Sequence, residues 1–204
     1  MNQKIRSKDL GYLFVIGGPG GSGSSTIAKM LAEHFNLKRV YGGGIFRKLL
    51  EEEGYANNDR AYFQENEILL KELDKKVDEI IFQESESPNV LIESKNFAAL
   101  ATKKEIPCTV KIWIEANLHV RTLRAMTKYG FEISYKNIIP YIRMRLDLVK
   151  RYNMDYRRYY DIQGINYSDP SEYNDIVIDS SHMNEKETYD LILKNIKDGG
   201  YIKE

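Results

Sequence analysis

Residues Gly18 to Thr26 carry the most specific chemistry in this sequence. They read Gly18-Pro19-Gly20-Gly21-Ser22-Gly23-Ser24-Ser25-Thr26. Glycines of this density let a backbone turn sharply and come close to a ligand. The run that precedes them, Tyr12-Leu13-Phe14-Val15-Ile16, is short, apolar and β-branched, and it reads as a buried strand. The run that follows sets Ile27, Met30 and Leu31 at helical spacing. A strand, a glycine-rich turn and a helix N-terminus together form an anion site, because unpaired N–H groups and the positive end of the helix dipole face the ligand. The spacing follows the phosphate-loop pattern G-x-x-x-x-G-K-[ST]. Gly18 and Gly23 are its fixed glycines, and Ser25 is the hydroxyl that would meet Mg²⁺. The lysine position is occupied by Ser24. The cradle, made of backbone N–H groups, does not depend on that lysine. The charge that would follow the β- and γ-phosphates does. Either another cation takes its place, or phosphoryl transfer is weak or absent.

The elements that must position this loop follow an alternating order. Strands are expected at Tyr12–Ile16, Leu37–Tyr41, Asn89–Ser94, Thr109–Ile114 and Asp175–Asp179. Helices are expected after the loop, over Ile45–Glu53, within Asn57–Glu86, over Leu118–Lys128, from Lys136 to about Asp161 with a bend near Pro140, and over Glu185–Lys197. Gly42-Gly43-Gly44 is expected to end the second strand and to permit a close backbone approach. The pattern predicts an α/β fold: a five-stranded parallel sheet with helices on both faces and right-handed crossovers. Ligands then sit beyond the C-terminal strand ends, where the loop, Gly42–Gly44 and the segment Glu93–Lys95 converge.

Composition narrows the classes of function. The chain has 204 residues, which suits a single domain. Thirty basic and thirty acidic residues cancel, so no global field favours nucleic acid or an anionic membrane. The helix rich in Arg and Tyr, from Arg143 to Tyr160, has residue types suited to stacking on a nucleic acid, but its acidic flanks argue against a sequence-independent groove. No apolar run approaches the length of a membrane span. Cys108 reads as a structural thiol within a strand, and one cysteine forms no disulfide within the chain, so a cytoplasmic location is expected. His34, His119 and His182 show no metal-ligand spacing.

The order of motifs resembles the archaeal-type cytidylate kinases, a nucleoside-monophosphate kinase family of P-loop kinases. The run from Gly18 to Thr26 is similar to their G-P-P-G-S-G-K-S-T loop, and Gly43-Gly44-Ile45-Phe46-Arg47 to their A-G-D-I-F-R segment. Leu73-Asp74-Lys75-Lys76-Val77-Asp78 resembles I-D-x-x-[IV]-D, and Val90-Leu91-Ile92-Glu93-Ser94-Lys95 resembles V-V-[IV]-E-G-R. Lys111-Ile112-Trp113-Ile114 with Arg121 and Arg124 is similar to K-I-W-L and its arginine helix. Arg151, Asp155 and Arg158-Tyr159, ending in Gly164-Ile165-Asn166, are similar to the lid pattern, and Asp175–Asp179 matches the final strand. Ser24, Gly44 and Lys95 depart from the lysine, aspartate and arginine of that pattern.

The resemblance implies one P-loop kinase domain over residues 1–204, with a helical acceptor-binding insertion at about 45–86 and a lid at about 121–166. It implies transfer of the ATP γ-phosphoryl to CMP or dCMP, with ATP and Mg²⁺ required and small nucleotides as partners. Neither nucleic acid nor membrane is expected as a partner, and a monomer or weak dimer is expected. Gly18 through Thr26, with Arg121 and Arg124, would hold ATP, and Ser25 the metal ion. Gly43, Gly44, Arg47 and Lys95 would hold the acceptor. Lys95, Arg151, Asp155, Arg157 and Arg158 would act in catalysis, with Lys95 or a lid arginine supplying the charge missing at Ser24. Two alternatives remain open on the sequence: a nucleotide-binding protein without useful catalysis, and a kinase for another small phosphorylated acceptor.

Overall fold

The computed structural model describes residues 6–55 and 67–202. Five strands form one parallel sheet: β1 (Leu13–Gly17), β2 (Lys38–Tyr41), β3 (Val90–Glu93), β4 (Val110–Glu115) and β5 (Ile176–Asp179), in the order β2-β3-β1-β4-β5. The helices are α1 (Ser24–His34), α2 (Gly42–Glu52), α3 (Glu67–Ser85), α4 (Phe97–Lys103), α5 (Leu118–Lys128), α6 (Ile138–Gln163) and α7 (Glu185–Asp198). The expected α/β architecture is therefore present. The part of the expected helical segment between Asn57 and Glu86 that precedes Glu67 lies outside the described residues.

The sheet is a double-sided core because both of its faces are apolar. Alternation along β1 sends Leu13 and Val15 to one face and Phe14 and Ile16 to the other. The first face packs on Val77 and Ile81 of α3, Phe97 and Leu100 of α4 and Tyr159 of α6. The second packs on Ile27 and Leu31 of α1 and Ile192 and Ile196 of α7. Such burial stabilises each large side chain by about 1.5–3 kcal/mol. A third small cluster, Ala125, Met126, Met144 and Leu148, joins α5 to α6.

Four local expectations are corrected. Strand β2 does end at the glycines, with Tyr41 its last residue, but α2 begins there too, three residues before the expected Ile45, with Gly42–Gly44 as its first turn. Cβ atoms built at Gly43 and Gly44 would lie 3.0 Å from the Tyr41 ring, which lies against both. The lost helix propensity, about 1 kcal/mol per glycine, is offset by the packing of Ile45, Phe46 and Leu49 on the core. Helix α6 runs without a break because Pro140 is its third residue, where a backbone N–H has no intrahelical partner to lose. Helix α4 was not expected at all; its Phe97-Ala98-Ala99-Leu100-Ala101 is buried on every side and so has no amphipathic period. Cys108 precedes β4 instead of lying within it, and burial pushes its thiol up to about 12.

Candidate active site

Strand order brings the site together. Strand β1 lies between β3 and β4, with Ile16 opposite Glu93 and Gly17 opposite Trp113. The phosphate loop leaving β1 thus sits between the ends of its two neighbours. Gly21 and Gly23 take φ of +84° and +97°, and a Cβ at Gly21 would stand 2.5 Å from the Arg121 carbonyl oxygen. Only glycine meets both demands. Gly23 is the N-cap of α1 and, having no side chain, makes no capping bond of its own.

Arg121 and Arg124 brace this loop from α5. Arg121 Nε donates to the Gly20 carbonyl at 2.8 Å. Arg124 donates to the carbonyls of Ser22 (2.8 Å), Ser180 (2.8 Å) and Met183 (3.1 Å) and to Ser180 Oγ (2.9 Å). Carbonyls accept and do not bind an anion, so the loop's capacity toward one lies in those N–H groups that are not already donating, as Ser22 N does to the Pro19 carbonyl and Thr26 N to the Gly23 carbonyl. Ser22 is buried, and its hydroxyl lies 3.4 Å from the Ser24 amide.

A second cluster lies beyond β3. Lys95 Nζ donates to Asp155 Oδ2 in a close ion pair. Asp155 Oδ1 accepts from Arg158 Nη2 at 2.9 Å, and Arg158 Nε lies 2.6 Å from Asp74 Oδ2. Asp78 accepts from Asn96 at 3.0 Å and from Gln163 at 2.6 Å. Burial pushes Asp74 up to about 7 against the pull of Arg158, and Asp78 up to about 6. Burial also acts to raise Asp155, but Lys95 and Arg158 outweigh it and hold its carboxyl below the usual range.

The residues expected from the sequence therefore divide into groups. Gly18 to Thr26 meet Arg121 and Arg124 at the loop. Lys95, Asp155 and Arg158 meet Asp74 beyond β3. Arg151 and Arg157 are exposed on α6, and Arg151 adds to the positive field at Asp155. Arg47 is exposed on α2, its guanidinium carbon 5.0 Å from the Tyr41 ring centre. Lys95 is engaged with Asp155, and the cation that touches the loop hydroxyl is one the sequence reading passed over. Arg39 Nη2 donates to Ser25 Oγ at 3.0 Å, and Arg39 Nε donates to Glu93 Oε2 at 2.9 Å. A signal for it existed: strand alternation places Arg39 on the face of Leu37, a core position.

The Ser25 hydroxyl and the Glu93 carboxylate are the kind of oxygen donors a hard divalent cation takes, and Arg39 engages both of them. Among the described residues there is no cluster of three or more His, Cys, Asp or Glu side chains placed to hold a metal by themselves. None of the described helices is long and apolar enough to cross a membrane.

Comparison with known proteins agrees with this geometry. The family described as "AAA domain" matches residues 16–127. The cytidylate kinase of Methanopyrus kandleri is 30% identical over 190 residues, covering 90% of this chain and 92% of that protein. The cytidylate kinase of Sulfurisphaera tokodaii is 32% identical over 181 residues, covering 88% of this chain and 92% of its own length. Among solved structures, shikimate kinase from Bacteroides thetaiotaomicron superposes with a TM-score of 0.55 at 10% identity, covering 94% of this chain and 99% of that one, a likeness of fold. The P-loop carried between β1 and α1, the 2-3-1-4-5 sheet and the near full-length similarity to these kinases lead to one statement: the chain belongs to the cytidylate kinase family of P-loop kinases.

Proposed function

We propose that this protein is an ATP-dependent nucleoside-monophosphate kinase that transfers the γ-phosphoryl of ATP to CMP or dCMP. The observation that carries the reading is the phosphate loop itself, braced through its carbonyls by Arg121 and Arg124 and set one strand away from the Lys95–Asp155–Arg158 cluster.

In this reading the unpaired N–H groups of the loop between Gly18 and Thr26 hold the β- and γ-phosphates, and Ser25 presents its hydroxyl to the metal side of the nucleotide. Mg²⁺, when bound, neutralises charge on the phosphate oxygens and orients them. Arg47 and Lys95 hold the acceptor monophosphate. An oxygen of that phosphate attacks the γ-phosphorus; the bond from that phosphorus to its β-bridging oxygen breaks, and ADP departs with the electron pair. Arg151, Arg157 and Arg158 lie on the helix that would meet the transferring group, where positive charge stabilises the equatorial oxygens. Asp155 holds Lys95 and Arg158 in register. Residues 45–86 and 121–166 would serve as acceptor-binding insertion and lid.

A second reading, nucleotide binding without useful turnover, is favoured by Ser24 at the lysine position. A third, a different phosphorylated acceptor, is favoured by Gly44, where the Tyr41 ring occupies the space beside the missing side chain. One experiment separates the three: ADP release from ATP·Mg²⁺ against a panel of nucleoside monophosphates, with calorimetric binding of ATP and each acceptor. The proposal expects turnover with CMP or dCMP well above the acceptor-free rate. ATP binding without turnover on any acceptor would sink it in favour of the second reading, and turnover confined to other acceptors would favour the third.

A further inference from the structure

The loop lacks its lysine, yet the structure places a cation at the loop. Arg39 sits on β2, one strand removed from β1, opposite Leu91 in the register. Glu93 lies two residues further along β3 and therefore on the same face of the sheet, the face that carries α1. An arginine is long enough to run along β3 and meet both Glu93 and the N-terminus of α1. Its Nε and Nη2 both donate to Glu93 Oε2, and Nη2 also donates to Ser25 Oγ. The pair is well shielded, with side-chain exposures of 22% for Arg39 and 8% for Glu93. The guanidinium carbon lies 4.9 Å from the Tyr41 ring centre, which further limits its freedom. Among the described residues these bonds occupy Nε and Nη2, so Nη1 keeps two donors for a ligand.

Among the described residues, Arg39 alone of the cations near the loop bonds a loop hydroxyl; Lys95, Arg121 and Arg124 bond loop carbonyls or Asp155. Lys95 is held by Asp155, Arg124 by three carbonyls and a hydroxyl, and Arg121 by the Gly20 carbonyl. Lys29 is exposed on α1.

We infer that Arg39 supplies to the ATP phosphates the positive charge that Ser24 does not. Resting on the reading of the loop as an ATP site, the inference adds a binding residue from a strand that contributes none to the loop pattern. Glu93 is its positioning residue: it holds the guanidinium at the loop while leaving Nη1 for a phosphate oxygen. The small side chain of Ser24 belongs to the same arrangement. A lysine there would bring a second cation against Arg39 at the already positive end of α1.

The test is calorimetric binding of ATP, with and without Mg²⁺, to the wild type, Arg39→Ala, Arg39→Lys and the double variant Arg39→Ala/Ser24→Lys. A charge-assisted hydrogen bond to phosphate predicts about tenfold to a hundredfold weaker ATP binding for Arg39→Ala. Arg39→Lys should retain part of the affinity, and Ser24→Lys should recover much of it in the Arg39→Ala background by moving the cation back to the loop. Recovery in the double variant beyond what Ser24→Lys adds to the wild type is the readout that a purely structural role would not move. Urea unfolding monitors folding, and if Arg39→Ala does not fold, Arg39→Met replaces it, since its long apolar stem keeps the packing. Unchanged ATP affinity in a folded variant would overturn the inference while leaving the ATP site standing. Tighter Mg²⁺·ATP binding would overturn it in another way, by making Arg39 a competitor of the metal ion for Ser25 and Glu93. Failure of the wild type to bind ATP would remove the reading on which it rests.

Discussion

Replacing Asp155 by asparagine keeps the volume of the side chain and removes one charge from the centre of the second cluster. Asp155 is 12% exposed and takes Lys95 on one oxygen and Arg158 on the other; those partners are 30% and 15% exposed. Breaking a buried pair by removing one partner costs about 3–5 kcal/mol, because the surviving charge is left uncompensated. Lys95 can turn toward water and Arg158 keeps Asp74, so the low end of that range, about 3 kcal/mol, is expected. For a chain of this length that corresponds to a fall in Tm of roughly 6–12 °C. The sign with pH follows from the lowered carboxyl. Burial alone would raise it, but Lys95 and Arg158 prevail, so the carboxylate contributes stability above its unfolded pKa and loses it as pH falls through the lower folded pKa. Urea unfolding at pH 7.5 and again under acid should therefore show a gap between wild type and Asp155→Asn that narrows on acidification. The Lys95→Met and double variants complete a cycle that isolates the Lys95 share. A loss below about 1 kcal/mol with an unchanged m-value would refute the reasoning, since it would place the cluster in the class of solvated surface pairs.

Asp74 should act in the opposite sense. Burial raises its carboxyl to about 7, so the native state holds a proton that the unfolded chain has released, and stability should decline as pH rises from about 4 toward 7; Asp74→Asn should flatten that part of the urea-midpoint profile, and an unaltered slope would count against it. Gly21→Ala places a side chain at φ +84° with Cβ 2.5 Å from the Arg121 carbonyl oxygen, so a loss of about 1–3 kcal/mol is expected, readable as a lower Tm; a variant as stable as wild type would contradict that geometry. Cys108, pushed up to about 12 by burial, should react slowly with iodoacetamide at pH 8 in the folded protein and rapidly in urea; equal rates would mean that the thiol is not shielded.

The fold was legible where local pattern and tertiary demand agree. Four of the five strands are short, largely apolar runs, β2 carries Lys38 and Arg39, and each of the five lies within one or two residues of where the pattern puts it. The reading failed where packing overrides local preference. Three successive glycines put the helix start at Ile45, but the apolar stripe of Ile45, Phe46, Leu49 and Leu50 seats α2 against the core and carries the glycines into its first turn. The buried α4 offered no contrast between faces, and periodicity is a measure of contrast.

The site divides in the same way. The cradle could be read from the sequence because its parts are contiguous: strand, loop and helix lie within about twenty residues. Its cation could not, because Arg39 reaches Ser25 only through sheet order. Residue 39 is fourteen positions from Ser25 in the chain and fifty-four from Glu93, and the three meet because β3 lies between β2 and β1. A Lys-Arg pair in a four-residue edge strand reads as surface charge. Alternation sends the two to opposite faces, and only one is exposed: Lys38, at the sheet edge, pairs with the half-buried Glu84 carboxylate, whereas Arg39 shares the face of buried Leu37. An arginine committed to the helix-covered face of a parallel sheet must find an anion or a carboxylate there, because an unpaired buried charge costs too much to persist. The 2-3-1 strand order supplies both: Glu93 is the carboxylate and the phosphate loop is the other neighbour.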